Sequence, residues 1–253
     1  MQNCRKRFVR FLLESGALTF GDFTLKSGRQ SPYMINTGKF DSGAALSRLG
    51  CFYAHGIYEQ MELGFIPDDI NVLFGSPYKG IPIATATAIA MAAGYDRDIG
   101  CCFNRKEAKD HGEGGVFVGK KPGAGDRILI LDDVMTAGTA LRETVTLLAN
   151  NAPAATIVGA IVAVDRKERG RDARLTAVAE LQYELGMPIF SIMDIYEILE
   201  MLKSGEYATE GGCGQETHTF CDMECTGPMD ADPPTPEQIA AIEKYLEENR
   251  PAS

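Results

Sequence analysis

The chain has 253 residues, 45% of them hydrophobic and 24% charged, ordinary values for a globular protein long enough to bury a sizeable core. A net charge of −10 and a pI of about 4.9 exclude a broad surface for nucleic acid or anionic membrane, so any phosphate ligand must be met by a local group of cations. No run approaches the roughly 20 apolar residues of a membrane span, and seven cysteines, an odd number, suit reduced cytoplasmic thiols better than a disulfide framework.

The basic start RKRFVRFLL is like the opening of a signal peptide, but Glu14 ends its apolar run too early. Residues 3–15 instead predict a short helix with Phe8, Phe11 and Leu12 on one side. Residues 20–38, FGDFTLKSGRQSPYMINTG, alternate at Phe23 and Leu25, turn at Ser27-Gly28 and restart at Pro32. That is a hairpin outside any strand–helix–strand rhythm, with Lys26 at its turn, a place where lysine is ordinarily just solvated. Residues 40–60 predict a helix carrying Leu46, Leu49, Phe52, Tyr53 and Ile57, on which His55 reads as a surface or half-buried residue.

From Asn71 strands and helices alternate. Val72-Leu73-Phe74 is a buried strand, GSPYKG a loop, and residues 81–93 a small-residue helix able to pack closely on a sheet. Tyr78 and Lys79 stand at the strand's carboxyl end, the side on which open α/β sheets bind ligands. Cys101-Cys102-Phe103 predicts the next strand, its cysteines small core residues. Residues 104–115, NRKEAKDHGEGG, interleave Arg105, Lys106, Lys109 and His111 with acids, end in glycines and contain no apolar residue larger than Ala108. The expectation is a mobile loop with glycine hinges. It supplies cations to an acidic chain.

Residues 127–150, RILILDDVMTAGTALRETVTLLAN, organise the rest. Ile128–Leu131 reads as a parallel strand buried on both faces, and the helix after it shows Leu141, Val145 and Leu148 on one face. Between them, Asp132 and Asp133 lead into a small polar loop. Unpaired N–H groups of a first helical turn and the helix dipole make an anion cradle there, to which Thr136 and Thr139 add hydroxyls, while Ala137 and Gly138 leave room for a phosphate. Two carboxylates beside such a cradle suit ribose hydroxyls or a hydrated Mg²⁺. A phosphorylated sugar is therefore the expected ligand. Residues 156–164 predict a further strand ending at Asp165-Arg166, 175–185 a helix, 188–193 a strand and 195–203 a helix. The alternation specifies an α/β fold built on a doubly wound, mainly parallel sheet flanked by helices.

Four segments, FTLKSGRQSPY, FGSPYKGIPIA, FNRKEAKDHGEGG and LILDDVMTAGTALRE, with VDRKERGR behind them, together resemble bacterial orotate phosphoribosyltransferase, a type I phosphoribosyltransferase. The similarity spans residues 3–202. It implies a small N-terminal hood over about 1–40, a core over about 41–203, and transfer of the 5-phosphoribosyl group of phosphoribosyl pyrophosphate (PRPP) to orotate, giving orotidine 5′-monophosphate and pyrophosphate in pyrimidine synthesis. It assigns Lys26, Tyr78, Lys79, Arg105, Lys106, Lys109 and His111 to the phosphates of PRPP, and Asp132, Asp133, Val134, Met135, Thr136, Ala137, Gly138, Thr139 and Ala140 to the 5′-phosphate and ribose. Lys26, Lys109, Asp132 and Asp133 are the implied catalytic set. Met34, Ile35, Thr136 and Arg166 are assigned to orotate, although many relatives carry aromatic residues where Met34 and Ile35 stand. Mg²⁺ is implied as a cofactor held through PRPP oxygens and water, with no direct protein ligand assigned. A homodimer sharing flap residues across subunits is implied as well. The alternatives are a non-catalytic PRPP-sensing regulator, or a purine-specific relative.

Residues 204–235 fall outside the resemblance and read as an acidic, Gly/Pro/Cys-rich insert, ahead of a last helix within 236–253 that Thr235 caps and Pro236 begins. Two readings of the insert stand. Cys213, His218, Cys221 and Cys225 are of the residue types that hold zinc, but their C-x4-H-x2-C-x3-C spacing is loose; a flexible acidic loop with free or partly oxidised cysteines is the other, favoured one.

Overall fold

A computed structural model describes residues 2–25, 28–109, 115–135, 138–172, 174–208 and 231–252. An N-terminal helix, α1 (Gln2–Glu14), leads into an antiparallel hairpin, β1 (Leu18–Thr24) with β2 (Gln30–Ile35). Helix α2 (Gly43–Glu62) then precedes the main sheet, whose strands are β3 (Val72–Gly75), β4 (Gly100–Lys109), β5 (Gly115–Gly119), β6 (Arg127–Leu131), β7 (Val134–Met135), β8 (Thr156–Asp165) and β9 (Ile189–Asp194). Between them lie α3 (Gly80–Tyr95), α4 (Thr139–Asn151) and α5 (Ala177–Leu185), and beyond them α6 (Ile195–Ser204) and α7 (Pro236–Asn249). No helix of the described residues is long and apolar enough to cross a membrane.

The spatial order is β5-β4-β3-β6-β8, with β9 on the far side of β8, and every pair is parallel except β4–β5. The buried strands feed two separate cores because successive side chains point to opposite faces. Leu73, Leu129, Leu131, Ile161 and Ala163 join the core under α1, α2, α3 and α6, whereas Val72, Phe74, Ile128, Ile130, Ala160 and Val162 join that under α4 and α5. This three-layer, mostly parallel arrangement is the doubly wound sheet that the alternation of elements predicts. The hood is the hairpin seated on α1, where Phe11 stacks on Phe40 and Arg48 lies over the Phe11 ring.

Three expectations are corrected. Residues 104–109 are not loop but the end of β4, paired with β5, a strand the sequence pattern does not announce. Backbone pairing at a sheet edge needs few apolar side chains, and Phe117 packs the hairpin against the Phe74 ring, edge to face at 6.2 Å. Helix α2 starts at Gly43 rather than residue 40, because Ser42 accepts a hydrogen bond from Ala45 N; residues Thr37–Lys39 form a separate 3₁₀ turn. Helix α5 starts at Ala177 rather than residue 175, since Thr176 caps it through Ala179 N.

Gly80 marks where the sheet and α3 meet most closely. A Cβ there would lie 2.5 Å from the Leu131 carbonyl oxygen, so the start of α3 sits directly on the end of β6. Gly80→Ala is expected to destabilise the fold by about 1–3 kcal/mol, the usual range for forcing extra volume into a packed site, read as a lower urea midpoint with unchanged slope.

Candidate active site

In the parallel part of the sheet, β3 and β6 are neighbours whose chains leave in opposite directions. From β3 the chain passes into α3 on one face and on to β4; from β6 it passes into α4 on the other face and on to β8. Such a switch of winding opens a crevice at the carboxyl ends of the two strands. Among the described residues, Ser76–Lys79, Asp132–Met135 and Gly138 line it. The two loops are tied together beneath the crevice: Ser76 N donates to Leu131 O at 3.1 Å, and the buried hydroxyls of Ser76 and Thr144 are 3.2 Å apart.

Asp132 and Asp133 are fixed by the sheet itself. Strands β6 and β7 pair with successive stretches of β8, Leu131 with Ile161 and Val134 with Val164, so the two aspartates interrupt an otherwise continuous ladder. Within that interruption Asp132 N donates to Ile161 O at 3.2 Å, and Ala163 N donates to Asp133 O at 2.7 Å. Tyr53 OH from α2 donates to the Asp132 carbonyl at 2.6 Å. On the side chains, Asp133 Oδ2 accepts from Lys79 Nζ at 2.9 Å and from Thr37 Oγ1 at 2.7 Å, while Asp132 Oδ1 accepts from Asp133 N at 2.9 Å. Burial pushes the Asp132 carboxyl up to about 7, the Asp133 charge adds to the shift, and Lys79 opposes it.

Helix α4 begins at Gly138, in the left-handed region at φ +70°, with no side-chain cap. Its first-turn N–H groups are therefore uncapped by any side chain among the described residues, and Thr139 and Ala140 are exposed there. A Cβ at Gly138 would lie 2.5 Å from Leu181 Cδ2, so a larger residue would have to displace that side chain as well as hold a left-handed backbone. Val134 and Met135 form strand rather than loop, and Met135 is buried, which leaves its backbone alone to face the crevice.

Of the other sequence-derived residues, Tyr78 is 68% exposed at the crevice mouth. Arg105 is half-buried with its Nε unpaired among the described residues, and Lys106 is exposed. Lys109 ends β4. Ile35 is buried in the hood core and Met34 half-buried, so Ile35 can meet a ligand only through its backbone. Arg166, immediately after β8, is 4% exposed, stacked 4.3 Å over the Tyr33 ring centre and paired with Glu168. His55 is half-buried beside Tyr95, a placement the sequence suggests. Lys26, His111, Thr136 and Ala137, the side chain of Lys109, and Cys213, His218, Cys221 and Cys225 lie outside the described residues.

The sequence reading misses Thr37 and Tyr53, which hold the aspartates, and Arg29, Glu168 and Tyr245, which surround Arg166. Thr37 lies 96 residues from Asp133, and no local pattern joins them. The one available signal is its place at the end of the hairpin, in INTG.

Comparison with known proteins agrees with this geometry. The phosphoribosyl transferase domain family matches residues 48–184. An orotate phosphoribosyltransferase of Bifidobacterium adolescentis is 48% identical over 194 residues, covering 77% of this chain and 84% of the relative. One of Pseudomonas aeruginosa is 50% identical over 202 residues, covering 80% and 90%. The crystal structure of the orotate phosphoribosyltransferase of Francisella tularensis superposes with a TM-score of 0.71 at 30% identity, covering 96% of this chain and 98% of the other. With about half of the aligned residues identical over most of each curated relative, the chain belongs to the orotate phosphoribosyltransferase family.

Proposed function

We propose that the crevice transfers the 5-phosphoribosyl group from PRPP to a ring nitrogen of orotate, releasing pyrophosphate and forming orotidine 5′-monophosphate for pyrimidine nucleotide synthesis. The observation that carries the reading is the meeting, at one switch point, of an uncapped helix N-terminus, a carboxylate pair and a lysine. The 5′-phosphate sits on the first turn of α4, held by backbone N–H groups from Thr136 to Ala140 and by the Thr136 and Thr139 hydroxyls. Asp132 and Asp133 accept from the ribose hydroxyls. Lys79, with Tyr78 beside it, and Lys26 lie along the phosphates. As the bond from C1 to the pyrophosphate oxygen breaks, positive charge grows on the sugar and negative charge on the leaving group. The carboxylates face the first, and Lys26, Arg105, Lys106, Lys109 and His111 face the second. Orotate is already a conjugated anion once deprotonated, so the chain need supply no strong base. Thr136, the Met34 and Ile35 backbone and Arg166 hold it, the guanidinium taking its carboxylate.

Asp132 and Asp133 are hard oxygen donors of the kind that fit Mg²⁺ through water, while PRPP would provide the remaining oxygens. Bound there, Mg²⁺ would neutralise pyrophosphate charge and orient the group being transferred.

A homodimer with a shared flap fits two further features. Helix α3 exposes the small, mostly apolar stripe Pro82, Thr85, Ile89 and Ala93, next to the exposed Tyr78. Hairpin β4–β5 runs on for six residues beyond Phe103, the partner of the last residue of β3. At a strand's rise that is an arm of roughly 20 Å past the sheet edge, long enough to serve a neighbour's crevice. The four described cysteines, Cys4, Cys51, Cys101 and Cys102, are free thiols, consistent with work in the cytoplasm. Residues 1–203 act as the catalytic unit, and 204–235 as an insert before α7.

The deciding assay is loss of orotate absorbance when PRPP and Mg²⁺ are added. PRPP binding without turnover would favour a sensor, and consumption of purines alone would favour a purine-specific enzyme.

Asp132 also predicts a pH dependence. Its carboxyl, pushed up to about 7, must be ionised to accept from ribose, so kcat/KM for PRPP should climb with pH and level off above neutrality. Asp132→Asn should abolish that climb. Stability follows the opposite course: the folded state keeps a proton that the unfolded state gives up near pH ~4, so this group's stabilisation is full below that pH and is lost as pH rises to about 7. Subtracting urea midpoints of Asp132→Asn from those of the parent across this window isolates the effect.

A further inference from the structure

Arg166 sits in a cluster drawn from three distant parts of the chain. Its Nε and Nη2 both contact Glu168 Oε1, at 2.8 and 2.7 Å, and Nη2 also donates to Ser31 Oγ at 3.2 Å. Tyr245 OH, from α7, donates to the same Glu168 oxygen at 2.8 Å. Arg29, from the turn side of the hood hairpin, donates to Glu168 Oε2 at 3.1 Å and to the Arg169 carbonyl at 3.0 Å. Arg169 N in turn donates to the Asn249 carbonyl at 2.9 Å, which ties the loop to the end of α7. The Tyr33 and Tyr245 rings meet edge to face at 5.9 Å, closing the cluster on its apolar side.

A free arginine side chain carries substantial rotamer entropy that a ligand must overcome on binding. Here one edge of the Arg166 guanidinium is committed to Glu168 and Ser31 and one face to Tyr33, and the Tyr245 hydroxyl approaches the guanidinium as well as Glu168. Two guanidinium groups and one carboxylate leave the cluster one positive charge in excess, which suits an anionic ligand. Burial and the adjacent Glu168 hold the Tyr245 hydroxyl above the ordinary phenol range, so it remains a donor throughout neutral pH. Deleting that donor would weaken the hold on Glu168 and let Arg166 turn.

We infer that Tyr245 of the C-terminal helix is a positioning residue for the acceptor: through Glu168 it sets Arg166 in the attitude that receives the carboxylate of the pyrimidine. The helix that follows the insert thereby determines affinity for the acceptor without touching it. This rests on the assignment of Arg166 to orotate made above.

Tyr245→Phe in the full chain keeps the ring and its packing and removes only the donor. The expected result is a KM for orotate raised about five- to tenfold, the scale of one lost hydrogen bond to a charged group, with kcat and the KM for PRPP within about twofold of the parent. The orotate dissociation constant measured by equilibrium dialysis should rise by the same factor, and the thermal midpoint should stay within a few degrees. An unchanged KM for orotate overturns the inference. So do equal rises in both KM values, or a fall in kcat alone, which a merely structural role would produce. Failure of the parent protein to consume orotate would remove the underlying site reading as well. Turnover by the parent with an unaffected variant would remove the positioning role alone.

Discussion

Lys109→Ala is expected to lower turnover by on the order of 10²–10³-fold, the usual loss when one positioned donor to a developing charge is deleted. The residue closes β4 and pairs with Gly115, the first residue of β5, so strand pairing fixes its backbone. Steady-state turnover at saturating orotate and PRPP is the measurement, and near-native turnover would refute the flap role. Mixing the Lys109→Ala protein with Asp133→Asn, each expected to be strongly impaired alone, should restore part of the activity if the arm serves a neighbouring subunit, since one crevice of the mixed dimer would then be intact. Without recovery, the arm closes on its own chain.

The second large effect is expected from Arg166→Ala. Loss of a charge-assisted pair with the substrate carboxylate should raise the KM for orotate by about 10–100-fold, with the KM for PRPP little altered. Stability should fall by about 1–3 kcal/mol as well, because among the described residues Glu168 keeps Arg29 and Tyr245 as side-chain partners in a largely buried place. Arg166→Lys would keep the charge but not the fork, and should fall between the two proteins. Substrate-titration kinetics beside a urea melt separate the binding effect from the folding effect. A parallel change in both KM values would move Arg166 out of the acceptor pocket.

These two residues also mark how far local pattern reaches. Lys109 sits in a stretch of charges without large apolar residues, and only its identity and order in FNRKEAKDHGEGG single it out. The pattern suggests a loop there, whereas the backbone is paired strand as far as Lys109. Edge pairing is made by main-chain groups, which leave no mark in hydropathy. Arg166 is legible as a cation at a strand's end, but its partners lie 135 and 79 residues away, Ser31 in the hood and, through Glu168, Tyr245 in α7. Helix starts were misjudged for a related reason: apolar periodicity extends past Ser42 and Thr176, while the caps at those residues decide where the helical hydrogen bonds begin.

What the sequence alone determined is the alternation of strands and helices through the parallel core and the chemistry offered at the strand ends. Each follows from local interactions: apolar runs demand burial on both faces, and small residues before a helix leave its N–H groups free. Only the tertiary structure decided which carboxylate is held by Lys79 and Thr37, why Asp132 resists ionisation, and that the final helix returns to brace Arg166. Those properties depend on distances between segments far apart in the chain, and on the water that their packing removes.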